Sequence, residues 1–228
     1  ENVEHLLQLV RHALLSVISK EGNGPVYPDP KRKEIHEILE ESVIPERASE
    51  DPFQILSTLP DHMQGSVKAN NPYMVKNIIP VPALMHLVSN LVVSTYMPNA
   101  VTGEDAAETL NAEIACAAAI AKLAGYDHEK SGGLFTFGGT ATNLYGFKMG
   151  LYKALPTHGL KGINGTKVAI IGSQPAHYSH QTGANWIGIG QDNYIQVRSN
   201  TDQTTRLDEL ESVCRKTIEA GKRIACIE

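Results

Sequence analysis

The stretch Gly132-Gly133-Leu134-Phe135-Thr136-Phe137-Gly138-Gly139-Thr140-Ala141-Thr142-Asn143 constrains the fold more than any other part of the chain. Leu134–Phe137 is a short apolar run that favours β structure, so it predicts a buried strand. Good helix formers follow, and they predict a helix over Ala141–Leu155. Between the two, a Gly-Gly pair lets the backbone turn sharply, because glycine reaches positive φ at little cost. Small residues then open the helix, leaving backbone N–H groups and threonine hydroxyls at its positive end. Such an end suits an anion, and phosphate is the commonest biological one. A turn capped by Thr140 or Thr142 with no ligand satisfies the same residues. The stretch has no G-x-G-x-x-G dinucleotide spacing, and no Lys-Ser or Lys-Thr follows the glycines as in a P-loop.

The residues after Gly132 set the fold class. Strands are predicted at Leu134–Phe137, Lys167–Gly172, Tyr194–Arg198 and Arg223–Ile227, with helices between them at Ala141–Leu155, Ser179–Gly188 and Leu207–Gly221. Short apolar strands that alternate with helices predict an α/β fold with a mostly parallel sheet and flanking helices. Ligands of such sheets lie beyond the carboxyl ends of the strands.

The residues before Gly132 are helical in pattern. Val3, Leu6, Leu7, Val10, Ala13, Leu14, Val17 and Ile18 predict a helix over Val3–Lys20 with one buried stripe. A second helix is expected over Lys31–Val43, facing inward through Ile35, Ile38, Leu39 and Val43, before Pro45 and Pro52 break the pattern. Residues 1–69 thus form an amino-terminal helical arm, and 70–228 the start of a larger domain. A rigid apolar loop, Ile78-Ile79-Pro80-Val81-Pro82, leads into Ala83–Tyr96, which is apolar enough to predict a buried helix. Gly103–Gly125 is the longest uninterrupted helical pattern.

Composition narrows the partners. The 228 residues carry 20 Lys and Arg against 25 Asp and Glu, which argues against nucleic acid or an anionic membrane as a partner. Nothing resembles a membrane span or the basic start of a signal peptide. Three scattered cysteines, Cys116, Cys214 and Cys226, read as small buried residues of a reducing, cytoplasmic protein. Asn164-Gly165 reads as a tight turn.

Ala176-His177-Tyr178-Ser179 follows the strand at Lys167–Gly172. A lone histidine is more often structural than functional. At a strand's carboxyl end, His177 would share a sheet edge with the Thr140–Thr142 turn. His177 and His180 have H-x-x-H spacing, but the sequence places no third ligand, so no metal is expected.

Taken together, Phe135–Leu144, Ala176–Ser179, Asn71-Pro72-Tyr73, the Pro80–Pro82 loop and the helix around Glu113 resemble the group II amino-acid decarboxylases, in the same order along the chain. The resemblance covers about Asn70 to Glu228. It implies a fold-type I PLP-dependent transferase-like architecture and pyridoxal 5'-phosphate as cofactor. It also implies an amino-acid substrate and a homodimer with its active site at the subunit interface. Carried over by residue, Gly139, Thr140, Ala141 and Thr142 would hold the cofactor phosphate. His177 would stack on the pyridine ring and help position the substrate. Ile79, Pro80 and Pro82 would line the substrate pocket. Asn71 stands where many members have histidine and is left unassigned. The family's pyridinium-pairing aspartate and Schiff-base lysine find no counterpart up to Glu228, so the chain is expected to be an incomplete polypeptide, inactive alone. Another fold-type I enzyme, a carbon–carbon lyase or an aminotransferase, and a non-catalytic dimerisation partner both remain open on these residues.

Overall fold

A computed structural model describes residues 3–21, 24–27, 33–41, 46–47, 51–63, 65–68, 71–75 and 82–228. Contacts divide the chain into two units, Glu1–Met97 and Pro98–Glu228.

In the first unit, α1 (Val3–Glu21) packs against α3 (Pro52–Met63). Phe53 sits edge-on to the rings of His5 and His12, with centroids 5.7 and 5.6 Å away, and His12 Nε2 lies 2.9 Å from Ser57 Oγ. Pro52 opens α3 where a break was expected. It occupies the first helical position, where a missing N–H costs nothing, while Asp51 Oδ1 accepts the N–H groups of Phe53 and Gln54. The predicted stripe of α1 is only partly covered: Val10, Ala13 and Val17 are half-buried, but Val3, Leu6, Leu7 and Leu14 are exposed. The short α2 (Ile35–Glu41) leaves Ile35, Ile38 and Leu39 exposed, and Val43 lies outside the described residues.

Asn71 is buried and makes a turn, its Oδ1 accepting the Tyr73 N–H at 2.9 Å. The helix predicted to be buried, α4 (Leu84–Tyr96), has no buried residue. It ends at Met97, which adopts φ +45° and donates its N–H to the Val93 carbonyl.

In the second unit the pattern expected over Gly103–Gly125 is two helices, α5 (Gly103–Ala106) and α6 (Glu108–Leu123), parted at Ala107 with φ +44°. The small-residue face of α6 is not buried, and Cys116 on it is exposed, while Cys214 and Cys226 are only half-buried. The cysteines are therefore not the core residues they were expected to be. Leu134–Phe137 is likewise not a strand. It has no ladder partner among the described residues and is tethered where the Phe135 N–H donates to Glu113 Oε1 at 2.9 Å. A strand exists only through its neighbours, and apolar sequence alone does not supply one.

The remaining alternation appears as expected: α7 (Gly139–Ala154), the short α8 (His158–Lys161), β1 (Val168–Ser173), α9 (Ser179–Trp186), β2 (Tyr194–Val197), α10 (Leu207–Glu219) and β3 (Arg223–Ile227). Between α8 and β1, Asn164 and Gly165 both have positive φ, and the Thr166 N–H donates to the Ile163 carbonyl, a tight turn.

The three strands form a parallel sheet in the order β2-β1-β3. The connections β1-α9-β2 and β2-α10-β3 run in opposite directions, so right-handed crossovers put α9 and α10 on opposite faces. The order reverses at β1 and β3, and their carboxyl ends make the switch-point crevice where α/β sheets bind ligands. Phe147 of α7, Ile170 of β1, Ala184 of α9 and Tyr194 of β2 form the core between helices and sheet.

Gly150 seats α7 on β3: a Cβ there would collide with the Ala225 carbonyl oxygen, whereas one at Gly146, a turn earlier, meets nothing. Gly150→Ala is expected to lower unfolding free energy by about 1–3 kcal/mol, since backbone cannot move aside as a side chain can. Gly146→Ala is expected to raise it by about 0.5–1 kcal/mol through helix propensity. Urea denaturation of both variants measures the contrast, and equal effects would reject the close seating of α7 on β3.

Candidate active site

The amino terminus of α7 is the first part of the site. Gly138 precedes it at φ +113°, a conformation that a Cβ would strain. The first bond into the helix runs from the Thr142 N–H to the Gly138 carbonyl, at 3.2 Å. The N–H groups of Gly139, Thr140 and Ala141 therefore have no acceptor among the described residues. Nothing lies within 4 Å of an ideal Cβ at Gly138 or Gly139, so the turn is open to a ligand. Open space in front of three unspent N–H donors, at the positive end of a 16-residue helix, fits a phosphate group.

The threonines differ. Thr142 Oγ1 lies 2.6 Å from Thr136 Oγ1 and 3.4 Å from the Gly138 carbonyl, so it is already engaged within the turn. The Thr140 hydroxyl has no protein partner among the described residues. Ala141 is buried, and what it can offer a ligand is its N–H.

The second part follows the carboxyl end of β1. His177 stands there, exposed, with the Tyr178 ring tilted against it at a centroid distance of 4.1 Å. Its Nδ1 lies 2.9 Å from Ser179 Oγ and accepts the Ser179 N–H at 3.2 Å. Ser179 Oγ in turn accepts Asn143 Nδ2 at 2.9 Å. Thus the turn and the histidine, separate in sequence, are joined by one chain of hydrogen bonds. The imidazole is exposed, and these bonds link His177 to Asn143 in the helix that Thr140–Thr142 open. Ser179, buried, and Asn143 lie inside the two motifs but received no role from sequence, since a serine and an asparagine there carry no signal until the fold brings them together.

Of the expected pocket residues, Pro82 is half-buried just before α4. Ile79 and Pro80 lie outside the described residues.

Deeper in the switch-point crevice, His180 Nδ1 lies 2.8 Å from Glu228 Oε2, but not aligned for a hydrogen bond. Burial opposes charge on both partners. It pushes the Glu228 carboxyl up to about 7 and, with His177 adding repulsion, holds His180 below the ordinary histidine value. Tyr194, whose buried hydroxyl has no partner among the described residues, is pushed up to about 12 by burial and then by Glu228. His180 also sits edge-on to Phe147 and Tyr194.

The architecture is the fold-type I fold that the sequence motifs led one to expect, shared with solved structures of decarboxylases. No family model matches the chain. In sequence it is similar to acidic amino acid decarboxylase GADL1 of Homo sapiens, at 26% identity over 165 residues, covering 72% of this chain and 31% of the human protein. In structure it is similar to mouse CSAD, with a TM-score of 0.81 and 19% identity over 98% of this chain and 48% of that one. It is equally similar to Oryza sativa TDC with PLP and tryptamine, with a TM-score of 0.81 and 13% identity, again over 98% of this chain and 48% of the other. The chain spans about a third of the length of the curated relatives it matches, and about half that of the solved structures.

The lowered pKa of His180 gives a signed prediction. The folded state favours the neutral ring, so this contribution to stability is present above pH 6.5, the unfolded value, and is lost as pH falls through the folded value. An NMR titration is expected to place the His180 midpoint below 6.5, and His180→Asn is expected to flatten that part of the acid limb in pH-dependent unfolding.

Proposed function

We propose that this chain supplies the phosphate-binding turn and the ring-stacking histidine of a pyridoxal-phosphate-dependent amino-acid decarboxylase. One observation carries this reading: the open amino terminus of α7, with three N–H donors to spare, is hydrogen-bonded through Asn143 and Ser179 to His177. The decarboxylase names of the sequence relatives support it.

Gly139, Thr140 and Ala141 hold the phosphate by backbone N–H groups, with the Thr140 hydroxyl adding a donor and Thr142 bracing the turn from within. His177 stacks on the pyridine ring and fixes its plane. When bound, pyridoxal phosphate supplies an electron sink for the pair released as the C–CO2 bond breaks. Fixing the reactants in place is the protein's main contribution, and a rigid turn on a long helix suits that role. Ile79, Pro80 and Pro82 line the substrate pocket.

The reading extends to assembly. Residues 1–69 act as a dimerisation arm, and the active site forms at the interface of a cytoplasmic homodimer. The exposed apolar residues of α1, α2 and α4 suit intersubunit packing. Among the described residues no helix is long and apolar enough to cross a membrane.

Three experiments test this. In the intact protein, Thr140→Val combined with Thr142→Val is expected to weaken pyridoxal phosphate binding by roughly 10- to 100-fold, the scale of one or two charge-assisted hydrogen bonds. Unchanged affinity in a fluorescence titration rejects the part given to the two threonine side chains. A panel of amino acids is expected to release CO2 rather than yield keto acids, which would mark an aminotransferase. Sedimentation velocity at micromolar concentration is expected to give a dimer, and a monomer rejects the shared-site assembly.

A further inference from the structure

Ser179 is a buried polar residue whose hydroxyl lies between two side chains from different elements. Its surroundings fix proton positions. A backbone N–H only donates, so the bond from Ser179 N to His177 Nδ1 makes Nδ1 an acceptor, and the neutral ring carries its proton on Nε2. Asn143 Nδ2 donates to Ser179 Oγ, which leaves the hydroxyl proton of Ser179 to point at the same Nδ1, 2.9 Å away. Two donors thus converge on one ring nitrogen. The other nitrogen, as Nε2–H, has no acceptor among the described residues, and the ring is exposed.

We propose that Asn143 and Ser179 are positioning residues that lock His177 in the Nε2–H tautomer and tie its orientation to the first turns of α7. The ring then offers one fixed donor, Nε2–H, at the sheet edge. The partner that this donor suits is an anionic acceptor, the carboxylate of the amino-acid substrate. This substrate half rests on the decarboxylase reading above; the tautomer lock does not. The plain alternative is that Nδ1 of His177 merely caps α9, in which case the hydroxyl and Asn143 are dispensable and the backbone bond suffices.

The test uses the intact protein and the variants Ser179→Ala and Asn143→Ala, with Ser179→Thr, which keeps the hydroxyl, as the conservative rescue. In cofactor-free samples, long-range 1H–15N correlation spectra report the two tautomers of His177. The wild type is expected to be mainly Nε2–H. In Ser179→Ala the ratio of Nδ1–H to Nε2–H tautomer is expected to rise roughly fivefold, the worth of one neutral hydrogen bond, with a smaller rise in Asn143→Ala and a return towards wild type in Ser179→Thr. With pyridoxal phosphate loaded, both alanine variants are expected to lose about tenfold in kcat/KM for the amino acid, while their affinity for the cofactor stays within about twofold of wild type.

Unchanged tautomer populations in both alanine variants overturn the proposal in favour of simple capping. Shifted populations with unchanged kcat/KM overturn its substrate half. A wild-type protein that neither binds pyridoxal phosphate nor releases CO2 overturns the functional reading and the substrate half with it, while the spectra of the same sample still decide the lock.

Discussion

Burial of β1 is the constraint on which the second unit depends. Val168, Ala169, Ile170 and Ile171 are each at most 2% exposed, which requires cover on both faces and a partner on both edges. β2 and β3 supply the edges. The helices supply the faces, and the crossover rule leaves little freedom in how they do so. Once β1 is central, its carboxyl end must lie beside that of β3, and the residues that follow each strand meet there. His177 and His180 are held over the crevice because the strand before them cannot sit elsewhere. At roughly 25 cal/mol per Å2 of apolar surface, each of the two isoleucines contributes about 1.5–3 kcal/mol to holding that strand in place.

The helix α7 connects this core to the chemistry. Along its length it is a packing element: Phe147 and Leu151 are buried, Gly150 lets it approach the β3 backbone, and the Phe147 ring fills the space that Gly183 leaves on α9. At its first turn it is an electrostatic element, with unspent N–H groups and Asn143 directed at Ser179. A rigid rod anchored at several points transmits that seating to its free end, so the donors of the turn and the ring of His177 keep a fixed relation. Fixed relations of this kind are what enzyme sites require of their scaffold.

Buried polar groups in the crevice carry a different lesson. Ser179 is satisfied from both sides, whereas the Tyr194 hydroxyl and His180 Nδ1 are not. Satisfied groups fix geometry, whereas at His180, Glu228 and Tyr194 loss of solvent disfavours the charged form even where an opposite charge stands near. The shifts of His180, Glu228 and Tyr194 all follow that rule in direction: the histidine moves down, the acid and the phenol up.

The sequence by itself determined the alternation of α7, β1, α9, β2, α10 and β3 almost to the residue, because periodicity and turn chemistry are local properties of the chain. It also determined the Gly138 turn, the Asn164-Gly165 turn and the placing of His177 after a strand. Tertiary structure alone decided which apolar segments are covered: α4 reads as buried and is not, and Leu134–Phe137 reads as a strand but lacks a ladder among the described residues. It alone decided that Asn143 and Ser179 meet, 36 residues apart. Local sequence sets what a segment can become, whereas burial, strand pairing and long-range hydrogen bonds belong to pairs of segments, and a pair exists only once the chain has folded.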